Sequence, residues 1–159
     1  GVQTCALPIW YARRTEGDFA VGKEFTDLGV LVVDDDASIV RLLKMMLMDL
    51  GIDQIFTAAD GRSALDFLGA MESEIDIIIC DWNMPRMTGL ELLQQVRTVN
   101  PDIRFIMLTG RADMESVTAA RDHGVDSYLL KPFTPEQLRQ RLEHKRAPRY
   151  GAAATALPA

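Results

Sequence analysis

Residues 28–36 read Leu28-Gly29-Val30-Leu31-Val32-Val33-Asp34-Asp35-Asp36. A continuous apolar run halted abruptly by acids is the pattern of a short strand buried on both faces, as in a parallel sheet. The period then changes. Ile39, Leu42, Leu43, Met46, Leu47 and Leu50 are spaced as one stripe along a helix, and Gly51 ends it. The methionine-rich stretch Met45 to Met48 reads as core packing rather than a ligand site. Working outward, the alternation repeats. Gln54 to Ala58 is a second, weaker strand, followed by a helix over about 61–72. Ile75 to Cys80 is a third strand interrupted by Asp76, and Thr88 with Glu91 forms a capping box for a helix whose Leu92, Leu93 and Val96 face inward. Ile103 to Leu108 is a fourth strand, and a helix with a thin apolar stripe is predicted around 113–123. Ser127 to Leu130 is the fifth strand, and Thr134, Pro135 and Gln137 open the last helix. Strands alternating with helices predict an α/β fold: a doubly wound, five-stranded parallel sheet with five helices.

Composition narrows the function. A chain of 159 residues with 48% hydrophobic content suffices for one domain and a real core. A net charge of −6 offers no basic face for phosphate backbones, so no direct nucleic-acid partner is expected. Cys5 and Cys80 form no disulfide framework, which suits a reducing compartment. No apolar run approaches the ~20 residues of a membrane helix, so a soluble, cytoplasmic protein is expected. Residues 1–27 read as a disordered lead-in, of which 1–9 match a reading frame of a sequencing adapter and are set aside. Residues 28–146 form the predicted domain, and 147–159, rich in alanine and flanked by proline, a disordered tail.

In a doubly wound sheet, ligands bind at the carboxyl ends of the strands. Asp34 and Asp35 follow the first strand, Asp81 the third, Thr109 the fourth and Lys131 the fifth. Three carboxylates, a hydroxyl and an ammonium thus reach one edge. Crowded carboxylates repel one another unless a cation intervenes, and hard oxygen donors suit Mg²⁺. Three aspartates and one lysine leave a deficit of two positive charges, which such an ion supplies. A site of this kind suits phosphoryl transfer, in which a carboxylate can serve as nucleophile and form an aspartyl phosphate. Chemistry alone does not say which aspartate reacts.

The acid-terminated first strand, Asp81-Trp82-Asn83-Met84-Pro85, Met87-Thr88-Gly89-Leu90-Glu91, Leu108-Thr109-Gly110 and Tyr128-Leu129-Leu130-Lys131-Pro132-Phe133 occur in order along nearly the whole predicted domain. From about Leu28 to His144 the chain resembles the receiver domains of bacterial response regulators, the CheY-like family of two-component signalling. The resemblance implies a flavodoxin-like strand order 2-1-3-4-5. It also implies Asp81 as phosphoacceptor, Asp34 and Asp35 as the acidic metal pair, and Asn83 as a further Mg²⁺ ligand through its backbone carbonyl. Thr109 and Tyr128 take the places of the switch residues, Lys131 contacts the phosphoryl group, and the Lys131–Pro132 peptide is cis. The implied activity is that of a switch rather than a conventional enzyme. A sensor histidine kinase or histidine phosphotransfer protein supplies the phosphoryl group, and autodephosphorylation, tuned by Asn83 and Arg111, resets the state. A downstream protein target binds the face of the fourth helix, fifth strand and fifth helix. Only about fifteen residues follow His144, so a single-domain regulator acting through protein binding is expected.

Simpler roles stand beside these. Asp36 reads as the cap of the first helix, His123 and His144 as surface residues, and Trp82 as the edge of the site. Arg139, Arg141, Lys145, Arg146 and Arg149 read as a basic helix end complementing the dipole. Tyr128 stands evenly between packed aromatic and switch. Two rival functions are a haloacid-dehalogenase-type phosphatase, with Asp34 as nucleophile and Asp36 as acid, and a docking module without phosphorylation. The phosphatase leaves Asp81 and Lys131 unexplained. The docking module leaves unexplained why every chemical group is present.

Overall fold

In β1 (Gly29–Val33) and β3 (Ile77–Asp81) every residue is buried. That follows from position, because these strands lie inside the sheet, flanked by strands on both edges and helices on both faces. The computed structural model describes residues 25–110 and 124–143. The other elements are α1 (Ala37–Asp49), β2 (Gln54–Ala58), α2 (Gly61–Met71) with a 3₁₀ turn over Glu72–Glu74, α3 (Gly89–Val99), β4 (Arg104–Thr109), β5 (Ser127–Leu130) and α4 (Pro135–Glu143). All strand pairs are parallel, in the order β2-β1-β3-β4-β5, with Val30 opposite Ile55 on one side and Ile77 on the other. The predicted helix around 113–123, and the tails 1–24 and 144–159, lie outside the described residues.

Side chains alternate across a strand, and the alternation sorts the core into two layers. Leu31, Val33, Ile78, Cys80, Phe105 and Met107 pack with Ala64, Leu68, Leu92, Leu93 and Val96 of α2 and α3. Val30, Val32, Ile77, Ile79, Ile106 and Leu108 pack on the opposite face with Leu43 and Leu47 of α1 and Leu138 and Leu142 of α4. Phe25, within the stretch read as lead-in, is buried in this second layer, and its carbonyl accepts from the Leu28 N–H at 3.1 Å. Among the described residues, no helix is long and apolar enough to cross a membrane.

Local chemistry explains most boundaries. Asp36 caps α1 by accepting from the Ser38 N–H at 2.8 Å, and both predicted capping motifs, Thr88 with Glu91 and Thr134 with Gln137, are formed. Gly51 adopts φ +85° and closes α1, its N–H reaching the Met48 carbonyl while that of Ile52 reaches Leu47. This is a Schellman closure, and the buried Leu47 and Ile52 supply its apolar contact.

Several expectations need correction. β1 starts at Gly29, β3 spans Ile77–Asp81 and β4 spans Arg104–Thr109, so Asp81 and Thr109 are the last strand residues rather than the first loop residues. Asp76 lies just before β3, and its carboxylate accepts from the Gly29 N–H at 3.0 Å. Of the predicted α1 stripe, Leu43 and Leu47 are buried and Ile39, Met46 and Leu50 pack partly buried against the core, but Leu42 is 40% exposed. Met45 and Met48, read as core packing, are each 58% exposed. A helix against one sheet face seals only the positions aimed at it, and these three lie outside that arc. Of the basic end predicted for α4, Lys145, Arg146 and Arg149 lie outside the described residues. Arg139 pairs with Glu136 and Glu143, and Arg141 donates to the Tyr128 carbonyl. The carbonyls of Arg141 and Leu142 are instead capped by Arg104 from the start of β4, at 2.7 and 2.8 Å.

The exposure contrast in α1 sets a direct expectation for urea unfolding. Leu47→Ala should cost about 2–5 kcal/mol, and Met48→Ala should stay within about 0.5 kcal/mol of wild type. Equal losses would mean that the helix faces the sheet differently.

Candidate functional site

The carboxyl edge of the sheet collects the reactive groups because consecutive strands end there in register. Asp81 pairs with Leu108 across β3 and β4, and Thr109 pairs with Leu130 across β4 and β5. The ladders continue one step past the strands. Asp34 N–H donates to Ala58 carbonyl at 3.2 Å, Trp82 N–H to Leu108 carbonyl at 2.9 Å and Lys131 N–H to Thr109 carbonyl at 2.8 Å. These bonds hold the residues just beyond each strand at defined heights. The Lys131–Pro132 peptide is cis.

Asp34 and Asp81 are 2% and 8% exposed, and Thr109 is 1% exposed. Oxygen atoms of Asp34, Asp35 and Asp81 lie within 4.8 Å of one another. The Lys131 ammonium donates to Asp81 at 2.8 Å and to Asp34 at 3.2 Å. Asp34 also accepts from the Asp36 N–H at 2.8 Å, so both of its oxygens are engaged. The Thr109 hydroxyl donates to its neighbour, the Gly110 carbonyl, at 3.2 Å. Asn83 lies exposed in the loop after β3. Tyr128 is half-buried against the core layer of α2 and α3.

Burial pushes the Asp81 carboxyl above its ordinary value. Lys131 pulls it down through its hydrogen bond and charge, and Asp34 and Asp35 add to the upward push. For Lys131, burial alone would lower the pKa, but the hydrogen bond and charge of Asp81, with those of Asp34, outweigh it and the net shift is upward. The two shifts agree physically: the ammonium is well served, while the carboxylates remain short of positive charge. Three acids against one lysine leave room for a divalent cation, and the donor set, all hard oxygen, fits one of the Mg²⁺ type.

Residues 30–143 match the family described as response regulator receiver domain. The chain belongs to the response regulator receiver family. It is 40% identical over 116 residues to the chemotaxis protein CheY homolog of Campylobacter jejuni, covering 72% of this chain and 88% of that one. It is 39% identical to chemotaxis protein CheY1 of Helicobacter pylori, over 72% and 93% of the two chains. Among solved structures, Vibrio cholerae chemotaxis protein CheY4 superposes with a TM-score of 0.66 at 38% identity, covering 72% and 95%. The protein is therefore a CheY-like receiver of two-component signalling, a family of phospho-switches rather than conventional enzymes.

The structure brings Asp34, Asp35, Asp81 and Lys131 together and buries Thr109 at the neighbouring strand end. Arg111 lies outside the described residues. Asp36, the general acid of the rival phosphatase, is instead committed to capping α1. Sequence reasoning missed Gly89. A Cβ there would sit 2.3 Å from the Asp81 carbonyl oxygen and 2.8 Å from Met107 Sδ. Only glycine lets α3 begin directly against the acceptor strand, and glycine at the first helical position was the available signal.

The Asp81 shift has a sign that can be checked without any ligand. A carboxyl whose folded pKa is raised contributes stability below the ordinary aspartate value of about 3.9, and loses it as pH rises through the folded value. An asparagine side chain resembles the protonated form. Asp81→Asn should therefore raise metal-free stability at pH 7, with the gap closing on acidification. A destabilised variant at pH 7 would reverse the assigned balance.

Proposed function

We propose that this protein is a response regulator in which Asp81 accepts a phosphoryl group from a phosphohistidine on a partner kinase or phosphotransfer protein, in a Mg²⁺-dependent reaction. The observation carrying the reading is the Asp81 carboxylate itself, buried, 2.8 Å from the Lys131 ammonium and within 4.8 Å of the Asp34 and Asp35 oxygens. An isolated buried carboxylate is costly, and this arrangement gives it a purpose.

The chemistry follows from the groups. One Asp81 oxygen attacks phosphorus in line, the phosphorus–nitrogen bond of the donor breaks, and the histidine nitrogen leaves with the bonding pair. Asp34, Asp35, Asp81 and the Asn83 carbonyl are the residues to hold Mg²⁺, which when bound supplies charge neutralisation for the phosphoryl oxygens. Lys131 keeps its charge across the physiological range and moves from bridging two carboxylates to contacting the incoming oxygens, a stronger match because phosphoryl brings roughly −1.5 to −2 charges. The Thr109 hydroxyl, which donates a long bond to its neighbouring carbonyl, turns toward the new phosphoryl oxygen. Tyr128 follows inward, and the surface of the predicted 113–123 helix, β5 and α4 shifts in population toward a target-binding form. Water later attacks the acyl phosphate and restores the carboxylate, with Asn83 and Arg111 setting access. The domain, predicted over 28–146, also takes in Phe25, which packs into its core, and works in the cytoplasm.

Intact mass spectrometry after incubation with acetyl phosphate tests this. Wild type should gain one phosphoryl group with Mg²⁺ present and none with EDTA, and Asp81→Asn should gain none under either condition. An Asp81→Asn protein that is labelled as fully as wild type would refute the assignment.

A further inference from the structure

We propose that Arg86, through its ion pair with Asp60, is a positioning residue that holds the acceptor loop in the shape required to bring the Asn83 carbonyl to the cation site. The inference rests on the phosphoacceptor reading above and adds a control point outside the residues that touch the cation.

The loop from Trp82 to Thr88 carries a local peculiarity. Arg86 has φ +70°, and it is the positive-φ residue other than glycine among the described residues. The Met87 N–H donates to the Pro85 carbonyl at 2.8 Å, so Pro85-Arg86-Met87 forms a γ-turn. Positive φ at the centre marks the rarer, strained form of that turn. A residue with a Cβ resists this conformation and keeps it only where surroundings over-determine it.

Two contacts supply that determination, and both come from the start of α2. The Arg86 guanidinium donates to Asp60 Oδ2 at 2.8 Å. Asp60 is itself fixed, because its other oxygen accepts from the Ser63 N–H at 2.8 Å as the cap of α2 and its side chain is only 17% exposed. That hydrogen bond first, and the Arg86 charge in addition, keep the Asp60 carboxyl below its ordinary range, so the pair stays ionised at neutral pH. Met87 then lies directly on Gly61, where an added Cβ would stand 2.6 Å from Met87 Sδ. At its other end the loop is held by the Trp82 N–H on Leu108 and by Gly89 N–H on the Trp82 carbonyl at 3.0 Å. Asn83 sits between these anchors and is exposed. Without the Arg86 tether, of these two contacts only that of Met87 on Gly61 is left to oppose the strain of the γ-turn, and the hold on the direction of the Asn83 carbonyl is loosened. Aspartate–arginine pairing of this kind acts as outer-shell support, which orients a ligand without touching the ion.

Mg²⁺ titration followed by Trp82 fluorescence, in the full chain with Trp10→Phe to remove the second indole, tests the proposal. Arg86→Ala and Asp60→Asn should each weaken Mg²⁺ binding about tenfold, the low end for outer-shell changes. Asparagine keeps the α2 cap, so the Asp60→Asn loss reports the ion pair. The double variant should be no weaker than the poorer single one, because both changes break one contact. Arg86→Gly should fall closer to wild type than Arg86→Ala, since glycine holds positive φ unaided. Thermal unfolding in EDTA provides the control. An Arg86→Ala protein that loses stability yet binds Mg²⁺ within about twofold of wild type overturns the proposal and leaves the phosphoacceptor reading standing. A wild type that does not respond to Mg²⁺ at all overturns both.

Discussion

Like-charge crowding at the carboxyl edge of the sheet is the constraint from which the rest of the molecule follows. Asp34, Asp35 and Asp81 are held with oxygens within 4.8 Å of each other, and two of the three are buried. Nothing in their own interaction favours that arrangement. The Lys131 ammonium offsets part of the repulsion, and the remainder is borne by the apolar layers beneath, which fix the strand ends. A sheet whose central strands are sealed on both faces can hold unfavourable charge at its rim because moving one strand end would disturb two packed layers at once. The site is thus a local loss of stability carried by the whole core, which is the usual relation between function and stability.

The fold was legible because its signals were redundant. Apolar runs in β1, β3 and β4, the stripe of α1, and caps at Asp36, Thr88 and Thr134 each pointed to the same alternation, so no single misreading could change it. Boundaries were less legible. Ile75 and Ile103 look like strand residues by composition, yet each strand begins later, where the Asp76 carboxylate and backbone bonds fix the ladders. Burial along α1 was overestimated at Leu42, Met45 and Met48 for a related reason. Hydrophobicity says that a side chain tolerates burial, and only the neighbouring surface says whether burial is on offer. Leu42, Met45 and Met48 tolerate it and do not receive it.

The candidate site was legible to the extent that its chemistry is carried by residue types at strand ends. Asp34, Asp35, Asp81 and Lys131 could be grouped from topology, and the grouping holds. Contacts between distant segments were not visible in this way. Arg104 caps the end of α4 from 37 and 38 residues away, and Arg97 joins the Gly124 carbonyl, the Ile103 carbonyl and the Asp126 carboxylate into one partly buried clasp. An arginine in a sequence carries no indication of which carbonyls it will find. The same holds for Arg86, whose positive φ is a property of the turn and whose partner lies 26 positions earlier.

The outward-facing thioethers of α1 have a chemical consequence of their own. Oxidation of methionine to its sulfoxide places a polar oxygen on a formerly apolar side chain, and the damage depends on where that oxygen must reside. At Met45 and Met48 it resides in water, and the packing beneath is untouched. Met107, fully enclosed between the sheet and the start of α3, is shielded from peroxide by the same burial that would make its sulfoxide ruinous. The helix beside the acidic edge therefore presents two expendable thioethers to oxidants, while the Met107 sulfur, on which the packing relies, is kept out of their reach.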